Sequence, residues 1–386
     1  MPDPMRFAVI GINGQGRAHL RGLKETPDAE LVAVCDANED AAKARAEEYG
    51  VPYYTSYEEV LKRDDIDAVG LPLPHYLHSI VAIAALEAGK HVVTEKPMAI
   101  SVRECDQMIE AAQKAGKQLT ISHQGRAAPS VRYIKELLHS PDFGRLIRMV
   151  WLSGGTRTQY YYDTEEWRGT WAEEGGGTLI NQKVHDLDRL AYLLGLPAEL
   201  SAFTGNLFHK VEPLVETMAT ASLLWADGAI GTFQASISDG TDLSRQEYHG
   251  DRAVLVQEGR GWKIGQQSMP ASEFIARGIG GGPQHKPPPE DPRNQLKIDV
   301  SWEEVALPQA GPSESGYPAV YGALVRAARG QGEVAITPEE ARNAIELMNG
   351  ITLSNLRRKA VTLPLDRDEV DEMFVELRDR AQGGRS

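Results

Sequence analysis

Cysteine is almost missing from this chain. Only Cys35 and Cys105 occur in 386 residues, with no CxxC pair and no metal-type spacing. That excludes a disulfide framework and fits a reducing compartment, so a cytoplasmic location is expected. Positive charge is also short: 41 Lys and Arg stand against 55 Asp and Glu, a net charge of −14. Such an acidic balance argues against nucleic acid and anionic membrane surfaces as partners. No apolar run approaches the roughly 20 residues of a membrane span. The opening residues Met1-Pro2-Asp3-Pro4-Met5-Arg6 lead straight into an apolar strand, without a charged-then-apolar leader pattern. His19, His78, His91, His139, His209, His249 and His285 fall at no metal-ligand spacing, so no metal site is expected. GxSxG and P-loop signatures are absent. What remains is an ordinary globular composition and a length that suits two domains.

The first third alternates strand and helix. Segments 7–10, 31–35, 67–71, 91–94 and 118–122 are short apolar runs that read as buried strands. Helical stretches stand between them and are closed by Gly50, Gly89 and Gly116. This alternation predicts parallel pairing, a doubly wound α/β Rossmann domain over residues 1–123. The pattern then changes. A helix over 131–139 and a strand over 145–152 precede a polar, aromatic loop over 155–175, and a loop of that length is usually functional. A long helix over 179–194 follows, then strands over 201–208, 217–225 and 229–237 and near Glu247, Val254 and Trp262, with a hairpin signal at Asp227-Gly228. Segment 278–292, dense in Gly and Pro, reads as a surface loop. Helices over 318–328 and 338–359 are expected to pack back on the body. Residues 124–386 thus read as an α+β domain with a mostly antiparallel sheet.

Gly11-Ile12-Asn13-Gly14-Gln15-Gly16 follows the first strand and opens the first helix. Gly11 makes the tight turn, Gly16 lets helix and strand approach, and N–H groups at the helix start meet a pyrophosphate. Asn13 stands where the middle glycine of GxGxxG is expected; it tolerates positive φ better than most residues, and Gly14 offers slack. Asp36 closes the second strand, twenty positions after Gly16, where an acid accepts hydrogen bonds from ribose hydroxyls. Ala37 and Asn38 follow it, with no arginine for a 2′-phosphate, so NAD is expected rather than NADP. Leu71-Pro72-Leu73-Pro74 ends the next strand. It reads either as an apolar wall beside the nicotinamide ribose or as a plain turn before a helix starting at His75.

Glu95-Lys96-Pro97 follows a short strand whose carboxyl end lies where open α/β sheets bind ligands. The proline holds Lys96 extended or in a turn. Alone, such a lysine is most often a solvated turn residue; beside a dinucleotide site it points to a cation that polarises an alcohol as hydride leaves. On the predicted helix 179–194, Asn181, His185 and Asp188 fall at i, i+4 and i+7, a polar stripe on an otherwise apolar helix. His185 titrates near neutrality and suits proton transfer; a satisfied core histidine is the bland alternative. The loop before it carries Arg157, Tyr160, Tyr161, Tyr162, Trp167, Arg168 and Trp171, and aromatic faces with interspersed arginines suit sugars. His123-Gln124-Gly125-Arg126 ends the last Rossmann strand and is expected to face the cleft.

With these residues in hand, the chain resembles the glucose–fructose oxidoreductase / inositol dehydrogenase / MocA family over nearly its whole length. The likeness rests on the VIGINGQG start with His19, the proline-rich turn with His78 ahead of AALEAGKHVVTEKP, and GGGTLINQKVHDLD. The resemblance implies a Rossmann domain followed by a domain with a large open sheet that mediates homodimers or homotetramers. It implies NAD-linked oxidation or reduction of a sugar, glycoside or cyclitol. It matches Lys96 to the family's lysine at the reacting hydroxyl and His185 to its catalytic histidine. Asn181 stands where many members carry aspartate, and its catalytic role stays open. The expected cofactor contacts are Gly11, Ile12, Asn13, Gly14, Gln15, Gly16, Asp36, Leu71, Pro72, His75, His78, Glu95, Lys96 and Gln124. The expected substrate contacts are Lys96, His123, Arg126, Arg157, Tyr160, Trp167, Arg168, Asn181 and His185. Two other functions fit the same residues: an enzyme that recycles bound NAD while cleaving a glycoside or epimerising it through a keto-sugar, and a non-catalytic NAD-sensing regulator.

Overall fold

The computed structural model describes residues 3–259, 261–276, 297–311 and 314–383. The expected surface loop 278–292, with His285, lies outside them. Six parallel strands build the first sheet: β1 (Met5–Ile10), β2 (Ala29–Cys35), β3 (Tyr53–Tyr54), β4 (Ala68–Leu71), β5 (His91–Glu95) and β6 (Leu119–Ser122). Their order is β3-β2-β1-β4-β5-β6. The chain winds one way from β1 and returns to pair β4 on its other side, so a crevice opens at the carboxyl ends of β1 and β4, the switch point of such sheets. Helices cover both faces, which is why Ala8, Val9, Val69, Val92 and Val93 are fully buried and the strands read as continuous apolar runs.

Nine strands form the second sheet: β7 (Leu146–Ser153), β8 (Glu199–Gly205), β9 (Met218–Leu224), β10 (Ile230–Ser236), β11 (Ser244–Gly250), β12 (Ala253–Glu258), β13 (Gly261–Gln267), β14 (Val300–Glu304) and β15 (Val361–Thr362). The order is β14-β13-β12-β11-β7-β10-β9-β8-β15, and the pairing is antiparallel apart from β7 with β10. Here residues alternate: Ala219, Ala221 and Leu223 are buried while Thr220, Ser222 and Leu224 are exposed. One face is packed and the other is open.

The helix expected over 179–194 is broken. Thr178–Asn181 forms one turn and Val184–Leu194 a second helix. The Thr178 carbonyl accepts from both Gln182 N (3.0 Å) and Lys183 N (2.8 Å), a widened turn that ends the first segment. Asn181 and His185 therefore do not share a helix face by simple i, i+4 geometry, although both reach the same cleft.

The last helices close the body. Gly316–Ala328 lies against the Rossmann helix Gly16–Lys24 and sends two tyrosines beneath the glycine loop. Tyr321 Oη is 2.7 Å from His19 Nδ1. Tyr317 Oη is 2.5 Å from Glu95 Oε1 and 3.2 Å from Gln15 Oε1. Gly22 is needed for this contact, since a Cβ there would run into Tyr317 Cβ. Pro338–Arg357 packs against β8 and Val184–Leu194.

Candidate functional site

A cleft of about 1140 Å³ opens at the switch point and runs between the two sheets' domains. Its first half is the glycine loop. Gly11 takes φ +90°, and a Cβ on it would meet the Pro72 carbonyl at 2.5 Å. A Cβ on Gly16 would run into the Gly11 carbonyl. The left-handed turn falls on Gly14 (φ +50°), so Asn13 need not adopt it. Asn13, Gly14 and Gln15 line the cleft at the start of helix Gly16–Lys24, with open space above Gly14. Helix-start N–H groups beside open space fit a pyrophosphate. Asp36 lies alongside: Oδ2 accepts from Ile12 N (3.1 Å) and Asn13 Nδ2 (3.4 Å), and Oδ1 from Asn38 N (2.9 Å). The carboxylate thus braces the loop while standing at the cleft wall, as a dinucleotide ribose requires. Ile12, Gly16 and Leu71 stand behind this surface; Pro72, Leu73 and Pro74 form part of it.

The second half gathers the reactive groups. Lys96 Nζ donates to the Asn181 carbonyl (2.7 Å) and to Asn181 Oδ1 (3.2 Å). The carbonyl is free to accept because the helix breaks after it. Asn181 Nδ2 in turn donates to Glu174 Oε1 at 2.5 Å, and Glu174 Oε2 accepts from Gly169 N at 2.5 Å. Burial lowers the Lys96 pKa, opposed by Glu95 and Glu174. Burial, and then the Lys96 charge, hold the His185 imidazole down at about 4, so it is neutral and basic over the physiological range. Lys96, Asn181 and His185 all line the cleft, with Glu95, Gln124, Arg157, Trp167 and Arg168.

Other expected contacts are placed differently. His123 is 1 % exposed and stands behind His185, ring centroids 5.4 Å apart and edge-on. Arg126 turns inward, with Nε 3.1 Å from Asp188 Oδ2 and Nη1 3.0 Å from Glu340 Oε2, so its charge is spent on an internal ion-pair chain. Neither lines the cleft, because the strand-end turn points only Gln124 forward. Tyr160 is 75 % exposed and faces away, while its neighbour Tyr161 lines the wall. His78 is buried below, between the carbonyls of Leu73 (2.8 Å) and Pro97 (2.6 Å), where it ties the two strand-end turns together. His75 does reach the cleft, its Nδ1 donating to the Glu174 carbonyl (2.8 Å) and its ring edge-on to Trp167.

Sequence comparison agrees with this geometry. Residues 5–123 match the model of the oxidoreductase family with an NAD-binding Rossmann fold, and residues 131–256 match the GFO/IDH/MocA C-terminal domain. The chain belongs to the Gfo/Idh/MocA oxidoreductase family. NAD is accordingly the cofactor. Among relatives, 2,7-anhydro-N-acetylneuraminate hydratase of Mediterraneibacter gnavus is 31% identical over 207 residues, 53% of this chain and 54% of that one. The match thus spans about half of that relative's length. 1,5-anhydro-D-fructose reductase of Ensifer adhaerens is 28% identical over 253 residues, 65% of this chain and 75% of that one. The structure of the WlbA dehydrogenase from Bordetella pertussis, solved with NADH and UDP-GlcNAcA, is 26% identical and superposes with a TM-score of 0.76 over 94% of this chain and all of that one. Among the described residues no helix is long and apolar enough to cross a membrane, and no metal-binding cluster occurs.

Several members of this Gfo/Idh/MocA site escaped sequence reasoning. Glu174 lies only seven positions from Asn181, yet their pairing depends on how the loop folds back. Gln182 lines the cleft and accepts from Arg157 Nη2 at 2.8 Å. Tyr57 and Glu58, on the helix Tyr57–Leu61 after β3, line the cleft at its Asp36 end. No local motif marks them.

Asp36→Ala is expected to weaken NADH binding about tenfold, the ~1–2 kcal/mol scale of lost charged hydrogen bonds. A fluorescence titration of bound NADH measures it, and unchanged affinity would remove Asp36 from the cofactor site.

Burial raises three carboxyls to about 7: Glu174, Asp188 and Glu216. Each ordinarily titrates near 4, so each contributes stability that is complete below that value and lost as pH rises through about 7. Glu95 acts in the opposite sense. It is pulled to about 2 by His19, Lys96 and Tyr317 against the cost of its burial, and it matters only at acid pH. The buried imidazoles of His75, His78, His91, His123 and His185 act against this trend, because burial lowers their pKa values and favours folding as pH rises. The carboxyl contribution is therefore read as a difference: across thermal scans at pH 5, 6.5 and 8, Asp188→Asn, which stays neutral throughout, should gain Tm relative to wild type as pH rises, and a constant difference would discount Asp188 as a contributor.

Proposed function

We propose that this protein oxidises a hydroxyl-bearing carbon of a sugar, glycoside or cyclitol, or runs the reverse reduction. The observation that carries the reading is the convergence of Lys96 and His185, from different domains, on one cleft that also contains the dinucleotide loop. NAD, when bound, takes the carbinol hydrogen with its electron pair. Lys96 binds the hydroxyl oxygen and stabilises the charge that builds on it. His185, neutral at working pH, accepts the hydroxyl proton. Net, CH–OH and NAD⁺ become C=O, NADH and H⁺. Asn181, anchored by Glu174, holds the ammonium in place and presents its amide oxygen to it. Glu174 stands one bond behind the amide and supplies the acidic group that Asn181 lacks.

In this reading residues 1–123 hold the cofactor and residues 124–386 hold the substrate and the subunit contact, in the cytoplasm. Phe203, Ile230 and Trp302, on the second sheet, are exposed and support association into a homodimer or homotetramer. Light scattering would measure that directly.

The test is a panel of sugars, glycosides and cyclitols with NAD⁺ and NADP⁺, read at 340 nm. Free NADH accumulating with one of them supports the dehydrogenase. Reduced cofactor that appears only on the enzyme during turnover supports the recycling reading, which gains weight from a relative named as a hydratase. No absorbance change with any member would favour the sensor, against which the presence of both Lys96 and His185 speaks.

A further inference from the structure

We infer that the sugar this cleft accepts carries an oxyanion, a carboxylate or a phosphate, recognised by Arg168 and Arg157. The inference rests on the reading above that a carbohydrate occupies the cleft.

The chain is acidic overall, yet the substrate end of its cleft is basic. Lys96, Arg157 and Arg168 line it, against the carboxylates of Glu95 and Glu165. The two guanidiniums are arranged around one aromatic ring. Arg168 lies 4.1 Å and Arg157 5.9 Å from the Tyr161 ring centroid, and Arg168 also lies 5.1 Å from that of Trp167. Stacking fixes the plane of a guanidinium and leaves its N–H edge free. Arg157 is further held by the Gln182 side chain (2.8 Å) and the Thr156 carbonyl (2.9 Å).

What neither has, among the described residues, is an ion pair. Nearby arginines that serve structure do: Arg126 with Asp188 (3.1 Å) and Arg189 with Asp186 (2.6 Å). Arg168 Nε is buried without a hydrogen-bond partner, as are Arg126 Nε and Arg189 Nε, so the missing ion pair is what sets Arg168 apart. Glu174 is close enough to feel the Arg168 charge, but its two oxygens are occupied by Asn181 and Gly169. Arg168 is half-buried and Arg157 exposed, and for such a pair of unpaired guanidiniums a bidentate oxyanion is the best-matched ligand group. Tyr161 adds a phenol kept protonated by burial, its pKa raised to about 12. Neutral hydroxyls can accept from these guanidiniums as well, but an oxyanion also answers their charge.

The experiment compares methyl glucoside, methyl glucuronide and glucose 6-phosphate, and the matching galactose set. Each is measured by turnover with NAD⁺ and by calorimetric binding to the NADH-loaded enzyme. In at least one set a charged member should exceed its neutral parent by about tenfold or more, and which charged member does so identifies carboxylate or phosphate. Arg168→Met should collapse that charged-to-neutral ratio by about tenfold, and Arg168→Lys should restore part of it. Parity between charged and neutral sugars, equal loss on both in Arg168→Met, or no binding of any member would overturn the inference. Charge-selective binding with no turnover would support it and would instead sink the dehydrogenase reading.

Discussion

Lys96→Ala is expected to lower kcat/KM for the alcohol about 10³-fold while NADH affinity changes by less than about tenfold. The asymmetry follows from the contacts. Lys96 Nζ is held by Asn181 in the cleft, and in the proposed mechanism its charge acts where the substrate oxygen becomes negative. Loss of 10³ corresponds to about 4 kcal/mol of transition-state stabilisation, the scale of one preorganised charged donor in a water-poor site. Steady-state kinetics and an NADH titration on the same preparation check it. If cofactor binding collapses as well, Lys96 serves the nucleotide, and another group must polarise the alcohol.

His185→Ala is the second large effect, about 10²–10⁴-fold in the oxidation rate. The wild-type pH profile carries the finer test. Because burial and Lys96 hold the imidazole at about 4, its neutral form persists down to that pH, and the acid limb of kcat/KM should fall there rather than near 6.5. Lys96 must keep its proton, and its lowered pKa brings the alkaline limb below the ordinary lysine range. Rates in the His185→Ala variant should lose the acid limb while keeping the alkaline one. A variant with the same two limbs would show that another group removes the proton.

Much of this was legible in the residues because the physics is local. Buried on both faces, β1, β4 and β5 announce themselves as apolar runs, and the glycine loop with Asp36 needs only order along the chain. Lys96 and His185 were expected in the cleft from their place in a pattern, and both line it. What escaped depends on contacts between distant segments. The break at 182–183 is invisible because apolar residues Leu179, Val184, Leu187 and Leu190 keep a helical rhythm across it. Strand β3 has two residues, too few for any periodicity. Helix Arg367–Gly383 was unread because acids and bases dominate its sequence, while Val370, Met373 and Leu377 carry its packing. His123 and Arg126 were expected in the cleft because their strand points there, yet a single turn decides which of four neighbours faces forward. Here it is Gln124.

The two tyrosines of helix Gly316–Ala328 bear on how this protein can be re-engineered. Tyr317 and Tyr321 underpin Gln15, His19 and Glu95, so the nucleotide half is finished by a segment nearly two hundred residues downstream of its last strand. Grafting residues 1–123 alone onto another scaffold would strip His19 and Glu95 of their phenolic partners, leaving only their contact with each other and the Lys96 N–H on Glu95, and would uncover the face that the tyrosine helix now packs against. A transplant with altered coenzyme preference must carry the tyrosine helix with it, or supply hydroxyls at the same two points.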